Sequence, residues 1–490
     1  MNIVTAAFEV SPFAKTGGLA DVTQALPLEW TKQGHNAITI LPKHRGINVD
    51  EFGFKKTFLT LNVPMGFSTE FAGVWEGKFP NSDSKVYLIE HEAYFNRDGI
   101  YGNPDSYFDN DRRFIFFSRA IFETIKALEI TPDIISAHDY HTAYTMAFLR
   151  SYYKHEERFS KTAGVFTIHN LAYQGKYDPW RVMDFSGFGM KEFYPGSWFE
   201  KDGVVNCMKT GIMFADKITT VSPNYAQEIR QPYYSEGLHG VLNQRGGDLI
   251  GILNGVFYDE WNPKTDEKIN IKFSSDNLDQ KRANKFSFLG SQGLTNNDDL
   301  DLPLVCMVTR LTEQKGIDII RERLDNLIGD KKFRFAILGS GQQNYVEYFN
   351  YLKWKYPRNA IVNIGYDEWY AHNLIAASDF LLIPSRFEPC GLTQMYGLKY
   401  GTIPIVRSTG GLADTVDEYI PEKKVGTGFV FNNYSADDFE FAMSRALDTY
   451  YSAEHLNQIR LNAMAQDNSS VKQAIEYIKV FGWALEKFNK

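Results

Sequence analysis

Cysteine is scarce in this sequence: three residues in 490, Cys207, Cys306 and Cys390, all far apart. Their spacing forms neither a metal-ligand set nor a disulfide framework, and it fits a reducing compartment. No run of about 20 apolar residues occurs, so no membrane-spanning helix is expected. The chain opens directly on a strand-like run, without the basic start, apolar core and small-residue cleavage site of a secretory signal, and a cytoplasmic location is expected. Basic blocks are lacking and the net charge is −8, which argues against a nucleic-acid surface. What is present is a globular composition, 43% apolar and 23% charged, in a chain too long for one core. Two large domains follow. Aromatics reach 15%; a rich core accounts for that first and stacking on sugars second.

Short apolar runs alternate with amphipathic stretches throughout, the pattern of α/β domains with parallel sheets. Strands are expected at 2–8, 37–41, 133–137, 163–168 and 217–221 in the first half. In the second half they are expected at 249–253, 304–308, 333–338, 360–364, 380–383 and 403–406. Gly246-Gly247-Asp248 precedes the second set and places a boundary near 245–256, giving domains 1–248 and 249–469. The polar stretch 266–300, with Asn296-Asn297-Asp298-Asp299, reads as a solvated excursion. A last helix, about 470–488 within a terminal segment 470–490, shows apolar residues at Val471, Ala474, Ile475, Ile478, Phe481 and Leu485, so one face packs on something.

Polar and glycine residues gather where these strands end. The hexapeptide Thr-Gly-Gly-Leu-Ala-Asp occurs twice, at 16–21 and 409–414, each time after a strand and at the opening of a helix. Such a turn bares backbone N–H groups toward an anion or a polar ligand, or serves only for tight packing. Elsewhere the strand ends carry Glu9, His138-Asp139-Tyr140-His141, His169-Asn170, Asn254-Gly255, Thr309-Arg310, Gly339-Ser340-Gly341 and Pro384 to Glu388. Ligands of open α/β sheets bind outside this carboxyl edge, so a cleft between two such sheets is the expected site. Lys15, Arg310 and Lys315 are cations at that edge; a guanidinium fork with a lysine suits a diphosphate, and surface cations flanking a helix start are the alternative. Glu388 either accepts sugar or ribose hydroxyls or caps the helix that follows, with Pro389 near its start. His138, His141 and His169 lack a spacing that completes a metal site, and a structural or sugar-contacting role is expected. Asp109-Asn110-Asp111 and Asp299-Leu300-Asp301 match an Asp-x-Asp pattern of metal-dependent sugar transferases, but the first sits where carboxylates cap a helix and the second in the polar excursion. No metal is expected at either.

Taken together, these segments resemble the bacterial glycogen synthase and plant starch synthase family, glycosyltransferase family five. The resemblance covers essentially the whole chain. It rests on Lys15 to Val22, Tyr94-Phe95-Asn96-Arg97, His138 to His141, Thr167 to Asn170, Asn254-Gly255-Val256, Arg310 to Gly316, Arg386 to Gln394 and Ser408 to Val416. It implies a GT-B fold, two Rossmann-like doubly wound parallel-sheet domains with an interdomain cleft, whose last helix returns to the first domain. It implies transfer of glucose from ADP-glucose to the non-reducing end of an α-1,4-glucan with retention, without metal or other cofactor, and domain closure on the donor. By the same resemblance Lys15, Gly17 and Gly18 meet the donor's diphosphate and glucose, while Arg310 and Lys315 neutralise departing ADP. Gly391, Leu392 and Thr393 add N–H donors, Glu388 binds glucose hydroxyls, and the His169 carbonyl faces the anomeric carbon. Tyr366 stacks on adenine, Asp139 and His141 lie near the reacting sugar or acceptor, and Asn254, Gln314 and Cys390 join the substrate-binding set. Tyr396 stands where related retaining transferases often carry a second glutamate. Tyr140 and Phe257 depart from the family's usual Trp and Asp, which touches packing and acceptor preference rather than the reaction class. A GT-B transferase with another nucleotide sugar and a non-catalytic glucan-binding homologue are the alternatives; intact Lys15, Arg310, Lys315 and Glu388 argue against the second. Oligomeric state and acceptor length are not set by the sequence.

Overall fold

The computed structural model describes residues 1–103, 105–295, 301–330 and 333–488. The chain divides into two compact units, Met1–Gly255 with Ser470–Lys490, and Val256–Ser469. The division therefore falls at Gly255, not at 248. The reason is strand Leu249–Gly251, which pairs in parallel with Lys217–Thr220 and so closes the first sheet instead of opening the second.

The first unit is built on a nine-stranded sheet. At its centre strand Asn2–Ala6 lies between Asn36–Pro42 and Ile134–His138, parallel to both. The chain runs outward on one side from Asn2–Ala6 and later returns to the other side at Ile134–His138. The gap between those two strands is thus the point where strand order reverses, the place where open α/β sheets bind ligands. Three strands that periodicity did not mark, Lys55–Met65, Ser68–Lys78 and Lys85–Glu90, complete the far edge, the first two as an antiparallel hairpin.

The last helix, Ser470–Leu485, belongs to this unit. Its buried face is Ala474, Tyr477, Val480, Phe481 and Ala484, whereas Val471 and Ile475 stay half exposed. Spacings of three and four align these side chains. Tyr477 and Phe481 pack edge-on against Trp30 of helix Gly18–Lys32, and the Trp30 Nε1–H donates to the Ala474 carbonyl at 3.2 Å. Full burial of such rings contributes about 2–3 kcal/mol each.

The second unit is a six-stranded, all-parallel sheet in the order Ala360–Ile364, Arg334–Gly339, Leu304–Val308, Phe380–Ile383, Ile403–Arg407, Phe429–Phe431. Here strand order reverses between Leu304–Val308 and Phe380–Ile383. The segment expected to be a solvated excursion contains helix Leu278–Ser291, which buries Lys281, Lys285, Phe288 and Leu289. The Lys281 Nζ donates to the Ala376 carbonyl and the Thr402 hydroxyl, and Lys285 pairs with Asp379 at 2.6 Å. Buried lysines are tolerated because every amine meets a partner. Residues 296–300 of that excursion lie outside the described residues.

Candidate active site

In the first unit the loop after strand Asn2–Ala6 and the loop after Ile134–His138 flank the reversal point. Glu9, buried, organises the first. Its carboxylate accepts from the Thr16 N–H at 2.5 Å, the Gly17 N–H at 3.2 Å, the Thr16 hydroxyl at 2.7 Å and the Tyr101 hydroxyl at 2.5 Å. Four donors on one carboxylate fix the Thr-Gly-Gly turn before any ligand arrives. Lys15 immediately precedes the same turn and pairs with Asp21 at 2.6 Å. Helix Gly18–Lys32 then opens without a side-chain cap, which leaves its first N–H groups to a ligand.

The two copies of the hexapeptide differ physically. A methyl group at Gly17 would meet nothing within 4 Å, and its backbone is extended (φ −161°). At Gly410 φ is +45° and a Cβ would lie 1.8 Å from the Glu388 carbonyl oxygen; at Gly411 it would lie 2.4 Å from the Cys390 carbonyl oxygen. The second copy is glycine because two backbones touch, the first because space is kept open. Gly410→Ala is therefore expected to cost about 3 kcal/mol or more of stability. Gly17→Ala should leave the melting temperature within a degree or two and cut turnover, since its methyl would project into the open space where the resemblance to starch synthases expects the donor. Equal thermal melts of the two variants, or full activity in Gly17→Ala, would refute the distinction.

In the second loop Asp139 holds a left-handed backbone (φ +60°, ψ 174°), a strained state for a non-glycine residue. Its carboxylate accepts from the His169 N–H at 2.7 Å and so joins the ends of strands Ile134–His138 and Ala163–Ile168. Burial raises its pKa to about 7; the N–H groups of His169 and Asn170 pull it down, and the Glu9 charge adds to the rise. His138 and His169 share a hydrogen bond at 2.9 Å. His141 stacks on Tyr101 at 4.6 Å and on Phe8 at 5.6 Å, is 5% exposed, and packs as part of the aromatic core rather than facing outward. Burial lowers His138 and His141 to about 3 and His169 well below 6.5, so all three are neutral imidazoles near pH 7. Asn254 is held at the base of the last helix: its side-chain carbonyl accepts from Gln473 at 3.0 Å.

In the second unit the reversal point carries an ion pair. Strand Leu304–Val308 leads to exposed Arg310 and to a single 3-10 turn ending at Lys315; strand Phe380–Ile383 leads to Ser385 and Glu388. The Lys315 Nζ lies 2.6 Å from Glu388 Oε2, and the Ser385 hydroxyl donates to the same oxygen at 2.9 Å. Glu388 thus does not cap a helix. The helix begins only at Thr393, with Leu392 at its cap position, so Pro389 lies outside its first turn. Gln314 ties the two loops together: its Nε2 donates to the Phe387 carbonyl at 3.3 Å, and its main-chain carbonyl accepts from the Arg386 N–H at 2.8 Å. The Cys390 side chain is buried, while Gly391 (φ +74°), Leu392 and Thr393 are partly exposed. Tyr366, 77% exposed beyond strand Ala360–Ile364, offers a ring face. Tyr396 stacks flat on Trp261, 3.8 Å between centroids at 1°, which explains an aromatic where relatives of other types carry a carboxylate.

Among the described residues, the carboxylates of the two Asp-x-Asp occurrences meet guanidinium groups. Asp109 receives both guanidinium nitrogens of Arg97, at 2.7 and 2.8 Å, and Asp111 pairs with Arg181 at 2.8 Å. Asp301 pairs with Arg282 at 2.8 Å, and Asp299 and Leu300 lie outside the described residues. Glu9 and Ser385 were the contributors that motif spacing left without a role; the one signal for both was their place just past a strand end.

Two doubly wound sheets, one mostly and one wholly parallel, each with prepared loops at its reversal point and one with a cation–carboxylate pair there, define a glycosyltransferase of the GT-B fold class. Residues 2–244 match the family model for the starch synthase catalytic domain, and residues 295–465 that for glycosyl transferases group 1. The glycogen synthase of Thermosipho melanesiensis is 40% identical, with 99% of this chain and 100% of the relative covered. That of Bacillus subtilis is 39% identical, with 98% of each covered. Among solved structures, the catalytic domain of starch synthase IV from Arabidopsis thaliana, bound to ADP and acarbose, has a TM-score of 0.90 at 32% identity, with 99% of each chain covered. The chain belongs to the glycogen synthase and starch synthase family.

Proposed function

We propose that this enzyme is an ADP-glucose-dependent glycogen (starch) synthase: it moves glucose from ADP-glucose to the 4-hydroxyl at the non-reducing end of an α-1,4-glucan and retains the anomeric configuration. The observation that carries this is the Lys315–Glu388 pair at the second unit's reversal point, in a chain similar from end to end to glycogen synthases. In the reaction the bond from the anomeric carbon to the β-phosphate oxygen breaks, the bond to the acceptor oxygen forms, and the acceptor's proton leaves with the diphosphate. Negative charge grows on the phosphate and positive charge on the sugar ring.

In the second unit, Arg310 and Lys315 supply fixed cations for the phosphate, and N–H groups of Gly391 to Thr393 supplement them. Glu388 takes sugar hydroxyls, and Tyr366 stacks on adenine. In the first unit, the turn held by Glu9 presents Lys15 and the N–H groups of Gly17 and Gly18, and the loop joined by Asp139 presents the His169 carbonyl to developing positive charge. Preorganised charges act without reorganisation at the moment of reaction. Because these groups do the work, the transfer itself needs no metal. Its setting is the cytoplasm; the three cysteines are buried and outside any disulfide, and among the described residues no helix is long and apolar enough to cross a membrane.

The deciding assay offers radiolabelled ADP-glucose and UDP-glucose separately with glycogen. Transfer from ADP-glucose is expected at a rate at least tenfold higher; preference for UDP-glucose, or no transfer from either, overturns the proposal. Initial rates should also be unchanged by EDTA. Loss of activity with chelator, restored by manganese or magnesium, would show that the cations named above do not suffice.

A further inference from the structure

Apart from the residues assigned to the transfer, the second unit contains a cluster with the chemistry of a metal site. Glu260, Glu368 and His372 each contribute a ligand atom, and these atoms lie within 4.8 Å of one another. Glu368 and His372 are four residues apart on helix Glu368–Ala377 and therefore share a face. The His372 side chain is wholly buried, and its Nδ1 lies 2.7 Å from Asp266 Oδ2. The Tyr400 hydroxyl donates to that same oxygen at 2.5 Å. A carboxylate on Nδ1 fixes the ring proton there and leaves the Nε2 lone pair open. That nitrogen is buried and meets no partner among the described residues, a rare condition for a buried polar atom. Trp261 stacks on the imidazole at 3.6 Å and holds its orientation. Lys268 already reaches both carboxylates, at 3.4 Å to Glu260 and 2.8 Å to Glu368, so the place attracts positive charge.

We propose that Glu260, Glu368 and His372 bind a divalent transition metal of the zinc type, with Asp266 as the group that orients the imidazole. One imidazole nitrogen and two carboxylate oxygens favour zinc, cobalt or manganese over calcium, and a carboxylate-held histidine is the arrangement such ligands use. The metal would take the position between the carboxylates that the Lys268 ammonium now holds. It would tie the start of helix Glu368–Ala377 to the segment around Trp261. The role is structural: none of the three ligands is among the groups assigned to the reaction.

The test uses the full chain, stripped of metal and titrated with cobalt(II) and zinc(II) chloride, followed by visible absorption and calorimetry. One equivalent should bind with a Kd of roughly 1 μM or tighter, with a rise in melting temperature and no change in initial rate. Glu260→Gln and Glu368→Gln alter side chains that are partly exposed, so their folding is not at risk, and each should weaken binding about tenfold or more. Lys268→Met should tighten it, because the competing ammonium is gone. No stoichiometric binding by the unaltered chain, or unchanged affinity in both glutamate variants, overturns the proposal. Since the donor assay reads transfer and this titration reads binding, each can fail without the other.

Discussion

Replacing Arg310 or Lys315 by alanine is expected to lower kcat by about 10³-fold each, with little change in thermal stability. Arg310 is exposed, and the Lys315 side chain, 17% exposed, pairs with Glu388. Ser385 still holds Glu388 when Lys315 is gone. The loss should therefore appear in turnover, because the two charges matter most when the diphosphate departs; interactions made mainly in the transition state lower kcat rather than raise KM. Steady-state kinetics with a melting curve for each variant decide this. If both variants fold and keep near-normal kcat, the diphosphate role is wrong.

The second large effect concerns acid. Burial lowers His44 to about 4, His138 and His141 to about 3, and His169 well below its ordinary value, each chiefly through loss of hydration. Below about pH 6.5 the unfolded chain protonates these four residues while the folded unit cannot. Stability then falls by about 1.4 kcal/mol per histidine per pH unit. Asp139 works in the opposite direction. Its folded pKa, about 7, is raised above the unfolded value, so the folded state keeps a proton that the unfolded state releases, and its penalty shrinks as pH falls toward 4. The net difference near pH 5.5 is about three protons, so moving from pH 7.5 to 5.5 should cost about 4 kcal/mol. For a unit of this size that is a fall in melting temperature of about 10 °C. Thermal melts of the full chain at the two pH values test it, with the first transition to shift assigned to the first unit by limited proteolysis. An unchanged or higher melting temperature at pH 5.5 would mean that these imidazoles are hydrated or already charged in the folded state.

Much of the fold could be read from the chain because it rests on local, periodic signals. Continuous apolar runs such as Ala163–Ile168 and Leu304–Val308 are buried on both faces of a parallel sheet, and their positions were visible at once. The antiparallel strands Lys55–Met65 and Ser68–Lys78 were not: Phe58, Phe67 and Phe71 are exposed, so their alternation does not separate inside from outside. Helix Leu278–Ser291 was hidden for the opposite reason. Its inward face carries Lys281 and Lys285, which read as solvated until Asp379, Thr402 and the Ala376 carbonyl are seen to receive them.

The sequence by itself determined the parallel part of each sheet, the strand ends that carry polar residues, and through its motifs the family. Motif spacing also singled out Arg310, Lys315 and Glu388, because a cation or carboxylate just past a buried strand has few other uses. Only the tertiary structure decided which of those residues meet. It paired Lys315 with Glu388, gave Glu9 the task of holding the Thr-Gly-Gly turn, placed His141 in an aromatic core, and tied Asn254 to the last helix. It also showed that two identical hexapeptides are glycine-rich for unlike reasons, open space at Gly17 and touching backbones at Gly410. Identity along a chain is local, whereas the partner of a side chain is set by segments tens to hundreds of residues away, and only folding brings those together.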